Sequence, residues 1–119
     1  MYIESFLNDE LSKVQITKEL FSNILLATIE AVSNGIKHGN KFDYSKNIFI
    51  SVELYLPIIQ ITVEDEGSGF DTSSLPNPLR KEKLEIPNGR GLFIMKKYTD
   101  ALTFEDRGRR VIMDFIQRK

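Results

Sequence analysis

Two carboxylates, one amide and two glycine pairs carry the chemistry this chain could do. The first group is Glu64-Asp65-Glu66-Gly67-Ser68-Gly69-Phe70-Asp71. Ile59, Ile61 and Val63 alternate ahead of it and predict a strand with one buried face. That strand delivers Asp65 to its end, where Gly67 and Gly69 replace side chains with bare backbone. Glycine is used where φ must be positive or where a ligand must come close. A carboxylate followed at once by Gly-Ser-Gly therefore suits a nucleotide pocket. Asp65 would accept from an exocyclic amine, and the glycines would leave room for the ring. The plainer alternative is an acidic turn between two strands.

The second group is Glu30 and Asn34. On a helix, residues four apart lie side by side. They belong to a stripe of Asn23, Ala27, Glu30, Asn34 and His38 that runs beside the apolar face. That is a costly place for a carboxylate and an amide unless something uses them; a solvated boundary stripe is the alternative. The third group is Asn88-Gly89-Arg90-Gly91-Leu92, just ahead of a helix-spaced run that includes Met95 and Tyr98. Glycines at a helix mouth expose backbone N–H groups at the positive end of its dipole. With Arg90 alongside, that is the chemistry of a phosphate site.

The elements that position these groups are legible from pattern. Residues 1–12 space Tyr2, Ile3, Phe6, Leu7 and Leu11 as a short amphipathic helix. A long helix runs from an N-cap at Thr17 to about Lys37, with Leu20, Phe21, Ile24, Leu25, Thr28, Ile29, Val32 and Ile36 in one apolar stripe. Gly35 weakens its last turns, and Gly39-Asn40 stops it. Ile48, Ile50, Val52, Leu54 and Leu56 alternate along a half-buried strand. Pro57 turns the chain, and Ile58 to Glu64 returns antiparallel. Residues 71–88 lack periodicity, contain Pro76, Pro78 and Pro87, and read as a long loop of the lid kind or as a surface excursion. Ala101 to Phe104 and Arg110 to Ile116 read as two more strands turning at Asp106-Arg107-Gly108.

Composition narrows the class. The chain has 119 residues, the size of one domain, with 16 basic against 17 acidic residues and a formal charge of -1. That balance exerts no global pull on nucleic acid or anionic membrane. Cysteine is absent and there is one histidine, which removes disulfide and thiolate chemistry and disfavours a transition-metal site. The expectation is a cytoplasmic protein without signal peptide or membrane span.

Taken in order, Glu-x-x-x-Asn on a helix, Asp-x-Gly-x-Gly at a strand end, a long loop and Gly-x-Gly opening a helix resemble the GHKL ATPase superfamily, the Bergerat fold. The details look most like bacterial anti-sigma-factor serine/threonine kinases. Glu30-Ala31-Val32-Ser33-Asn34 through His38-Gly39-Asn40 resembles their N box, Val63 through Asp71 their first glycine box, and Gly89 through Ile94 their second. The likeness spans about residues 17–116.

The resemblance implies an α/β two-layer sandwich, a mixed and mostly antiparallel sheet with helices on one face, and an ATP- and Mg²⁺-dependent kinase. Glu30 matches the general base and Asn34 the Mg²⁺ ligand. Asp65 matches the adenine reader, flanked by Gly67 and Gly69. Gly89, Arg90, Gly91 and Leu92 match the phosphate-contacting stretch, residues 71–88 the ATP lid, and His38 a structural neighbour of the phosphates. The implied partners are a STAS-like anti-sigma antagonist, phosphorylated on Ser or Thr, and a sigma factor. Two departures stand out. An N-terminal edge strand is missing, which bears on homodimer formation through sheet edges. The Thr that the superfamily often places on a late strand near adenine has no counterpart around Met113-Asp114-Phe115. The catalytic module of a histidine kinase is one alternative, and a non-catalytic module that holds nucleotide and binds a partner is the other.

Overall fold

The computed structural model describes residues 2–67 and 89–118. Helix α1 (Ile3–Leu11) buries Ile3, Leu7 and Leu11 at every fourth position, while Tyr2 stays outside. Among the described residues no strand precedes it.

Helix α2 (Lys18–Asn34) begins where expected. The Thr17 hydroxyl accepts from the Leu20 N–H at 3.0 Å, a cap worth about 1 kcal/mol. Its buried stripe is Ile24, Ala27, Thr28, Ala31 and Val32. The end differs from expectation. The α-helix stops at Asn34, and a π turn, Gly35–Gly39, continues it. The turn closes with the Asn40 N–H on the Gly35 carbonyl at 2.7 Å. A widened turn of this kind is frequent at functional sites.

Strands β1 (Ile48–Tyr55), β2 (Ile58–Asp65), β3 (Ala101–Glu105) and β4 (Arg110–Ile116) form one sheet in the order β1-β2-β4-β3, every neighbour antiparallel. Helix α3 (Gly89–Tyr98) lies between β2 and β3 in the chain and packs on α2. The register carries one face across all four strands. Ile50 stands opposite Val63, Val63 opposite Val111, and Val111 opposite Phe104. Val52, Ile61, Met113 and Leu102 repeat the row one pleat further.

This face and the helices enclose the core, with Ile59, Ile61, Met95, Met113 and Phe115 fully buried. Each such side chain contributes about 1.5–3 kcal/mol of transfer free energy. The fold is thus a two-layer sandwich with helices on one face. The opposite face is open to solvent. Arg110 there bridges Glu64 and Glu105 at 3.1 and 3.2 Å, half-exposed pairs of small net value.

The register has a consequence for chemistry. Asp65 continues the inward row of Ile59, Ile61 and Val63. It therefore points a carboxylate at the helical layer, at the one end of the sheet where α2 has widened into its π turn.

Candidate functional site

One recess opens at that end. Ala31, Asn34, Gly35, His38 and Gly39 supply its helical wall, Val63, Asp65 and Val111 its floor, and Leu92, Phe104 and Gly108 its remaining sides. Asp65, Asn34 and Leu92, the last residue of α3's first turn, thus line one cavity.

Asp65 is only 8% exposed. Its Oδ1 accepts from the Gly67 N–H at 2.8 Å, and its own N–H donates to the Arg109 carbonyl at 2.9 Å. Burial pushes the carboxyl above its ordinary value; the Gly67 N–H and the Arg109 charge offset part of that rise.

The glycines around it serve close approach. A Cβ on Gly39 would sit 2.3 Å from the Asp65 carboxyl carbon. A Cβ on Gly67 would sit 1.9 Å from the Gly39 carbonyl oxygen. The direction in which a Gly67 side chain would point is therefore filled by the backbone of the π turn. What the glycine permits is contact between two segments of the site. Gly35 has a similar reason, since a Cβ there would meet Ile48 Cδ1 at 2.7 Å.

A buried clasp holds these segments in place. Asn40, 4% exposed, accepts at Oδ1 from the Glu66 N–H at 2.9 Å and donates from Nδ2 to the Asn47 carbonyl at 3.1 Å. Glu66 in turn accepts from the Asn47 N–H at 2.7 Å. In the sequence Asn40 reads only as a helix stop. Its amide, adjacent to the second glycine of the π turn, is the signal that could have placed it here.

The other expected residues fall as follows. Asn34 is half-buried and lines the recess. Glu30 is half-buried one helical turn earlier on the same stripe and does not line the recess. His38 is an exposed rim residue, and partial burial and Lys37 lower its pKa, which favours the neutral imidazole. Gly91 and Leu92 are buried, and Leu92 faces the recess.

The glycines expected ahead of α3 lie within it, Gly89 being its first residue. The first turn is thus Gly89, Arg90, Gly91 and Leu92, the end where a helix presents its N–H groups and positive dipole. Gly69, the expected lid at 71–88 and the Arg90 side chain lie outside the described residues.

The late-strand neighbour of Asp65 also needs correcting. Met113 and Phe115 pair with Ile61 and Ile59, well inside the sheet. The residue alongside Asp65 is Arg109, just before β4. No helix among the described residues is long and apolar enough to cross a membrane.

A four-stranded antiparallel sheet under one helical layer, with a carboxylate, an amide and a helix N-terminus meeting at its edge, is the arrangement expected of a GHKL-type nucleotide-binding domain. The family model described as histidine kinase-like ATPase domain matches residues 2–115, and the chain belongs to that family. Among curated proteins it is similar to the anti-sigma F factor of Clostridium perfringens, 35% identical over 102 residues, covering 82% of this chain and 73% of that protein. It is also similar to the anti-sigma F factors of Bacillus licheniformis and Geobacillus thermodenitrificans. They are 33% and 34% identical over 91 residues, covering 75% of this chain and 62% of each relative.

Proposed function

We propose that the recess binds ATP with Mg²⁺ and that the chain is a serine/threonine protein kinase of the anti-sigma-factor type. Its substrate is a small STAS-like antagonist, and a sigma factor is its second partner. The observation that carries the reading is that Asp65, Asn34 and Leu92 of α3 line one recess, in a chain similar to proteins named anti-sigma F factor.

Each residue has a task. Asp65 accepts from the adenine amine. The N-terminus of α3 faces the phosphates. Asn34 contributes one amide oxygen, which fits Mg²⁺, a cation that keeps several waters and takes few protein ligands. Bound Mg²⁺ neutralises charge on the phosphate oxygens. Glu30, beside the recess, takes the proton of the incoming hydroxyl as that oxygen forms its bond to the γ-phosphorus. The bond from the γ-phosphorus to its bridging oxygen breaks, and ADP leaves.

The test is incubation of the chain with γ-labelled ATP, Mg²⁺ and STAS-domain proteins from the same genome. Label on a Ser or Thr of one of them is the expected result. Glu30→Ala should retain nucleotide binding and lose transfer. Binding without transfer to any candidate would favour the module that holds nucleotide without turnover. Transfer by Glu30→Ala at the wild-type rate would remove Glu30 as the base.

A further inference from the structure

The β3–β4 turn is built at unusual conformational cost. Asp106, Arg107 and Gly108 all have positive φ, 52°, 58° and 84°. Two of the three carry side chains, and left-handed backbone at such residues is uncommon. Strain of this kind persists where the surroundings require it. What the turn achieves is the placement of Arg109. Its carbonyl accepts from the Asp65 N–H at 2.9 Å, its Nη1 donates to the Gly67 carbonyl at 3.2 Å, and its Nη2 pairs with Asp106. Gly108, the turn's third residue, lines the recess itself.

We infer that Arg109 is a positioning residue of the nucleotide site, gripping Asp65 and Gly67 from outside so that the Asp65 carboxylate is aimed at an adenine amine. Arg109 touches no nucleotide atom in this role, and the inference rests on the reading of Asp65 as the adenine acceptor. One guanidinium holds two points, the Gly67 carbonyl and the Asp106 carboxylate, which a lysine ammonium cannot reproduce with the same geometry. Its charge also opposes the effect of burial on Asp65.

Among the described residues, the other charges acting on Asp65 have partners or positions of their own. Glu64, its neighbour, is paired with Arg110 at 3.1 Å. Glu66 is turned to the Asn47 N–H. Lys46 acts from the loop before β1. His38, on the π turn, has its pKa lowered by partial burial and by Lys37. Arg109 is the cation that reaches this strand end from β4.

The experiment is calorimetric titration with ADP across a falling pH series, using wild type, Arg109→Ala, Arg109→Lys, Asp106→Asn and Asp65→Asn. The phosphates of ADP titrate identically in every case, so differences between variants belong to the protein. Arg109→Ala should bind about 10-fold more weakly near neutrality, and its affinity should begin to fall at a higher pH than that of wild type. Arg109→Lys should restore the pH at which the fall begins without restoring full affinity.

Asp106→Asn tolerates positive φ and keeps the fold. It should weaken ADP several-fold by freeing the guanidinium. Wild-type affinity and pH dependence in Arg109→Ala would overturn the inference. So would weaker binding with an unmoved pH dependence, the mark of a merely disturbed turn, and so would wild-type affinity in Asp106→Asn. If Asp65→Asn bound ADP as tightly as wild type, the adenine reading itself would fall; loss there with no effect at Arg109 would overturn the inference alone.

Discussion

At the scale of the residue, Asp65 would do two jobs with opposite pH dependence if it is the adenine acceptor proposed above. Burial raises its pKa, so the fold favours its uncharged form. At this group, stability is full below the ordinary carboxylate value and is lost as pH rises through the raised one. Adenine binding, on that proposal, would run the other way, because an ionised carboxylate is the better acceptor for the amine, and it would be lost as pH falls through the raised value. Asp100 behaves as a structural carboxylate does. Burial raises it, but the Ile116 N–H at 2.7 Å and Arg118 at 3.1 Å outweigh burial and leave it lowered. Its stabilisation is present above the ordinary carboxylate value and is lost only as pH falls through its lowered one. On acidification ADP should therefore dissociate at a higher pH than the one at which far-ultraviolet circular dichroism collapses. Affinity that persists down to the unfolding transition would mean that binding does not need ionised Asp65. Asp65→Asn should weaken ADP at any pH. Its amide oxygen would be drawn to the Gly67 N–H, which now bonds Oδ1, leaving an NH₂ to face another donor.

At the scale of the element, the π turn and the chain just after β2, at Gly67, are pressed together through backbone. Gly67→Ala places a methyl 1.9 Å from the Gly39 carbonyl oxygen. Neither atom belongs to a flexible side chain, so one segment must move. Overpacking of this kind costs about 1–3 kcal/mol, and the movement falls on Asp65, so denaturant midpoint and ADP affinity should drop together. A Gly67→Ala variant with wild-type affinity would show that the contact is dispensable to the site. This contact also shows where sequence reasoning stops. Period-two alternation was enough to find all four strands and the inward faces of β1 and β2, and the Thr17 cap and its apolar stripe were enough for the start of α2. Asp65, Asn34 and Leu92 could be grouped because their motifs have fixed chemistry and order. What pattern does not carry is contact between distant backbones. Gly67 against Gly39, Asn40 against Glu66, and Arg109 against Gly67 join positions whose partners only the assembled sheet reveals. The early end of α2 was hidden too: the π turn that replaces its last residues packs against Asp65 and Ile48, on other elements.

At the scale of the whole molecule, the recess is where every layer meets, bounded by α2 and the π turn, by the ends of β2 and β4, and by α3. A ligand there bridges several elements at once, so occupancy should be read as global stability. By mass action a ligand at a hundredfold excess over its Kd adds about 2.7 kcal/mol, which for a domain of this size raises the melting temperature by about 10 °C. The nucleotide and the metal contribute separately if Asn34 is the Mg²⁺ ligand. ATP in EDTA should raise the melting temperature of wild type and Asn34→Ala alike, because the Asp65 contact is unchanged. Adding Mg²⁺ should raise wild type further and leave Asn34→Ala where it was. Because the apo proteins are compared in the same buffers, a general loss of stability in the variant cancels. An Asn34→Ala protein that gains as much from Mg²⁺ as wild type would transfer the metal to other donors and leave Asn34 as part of the wall.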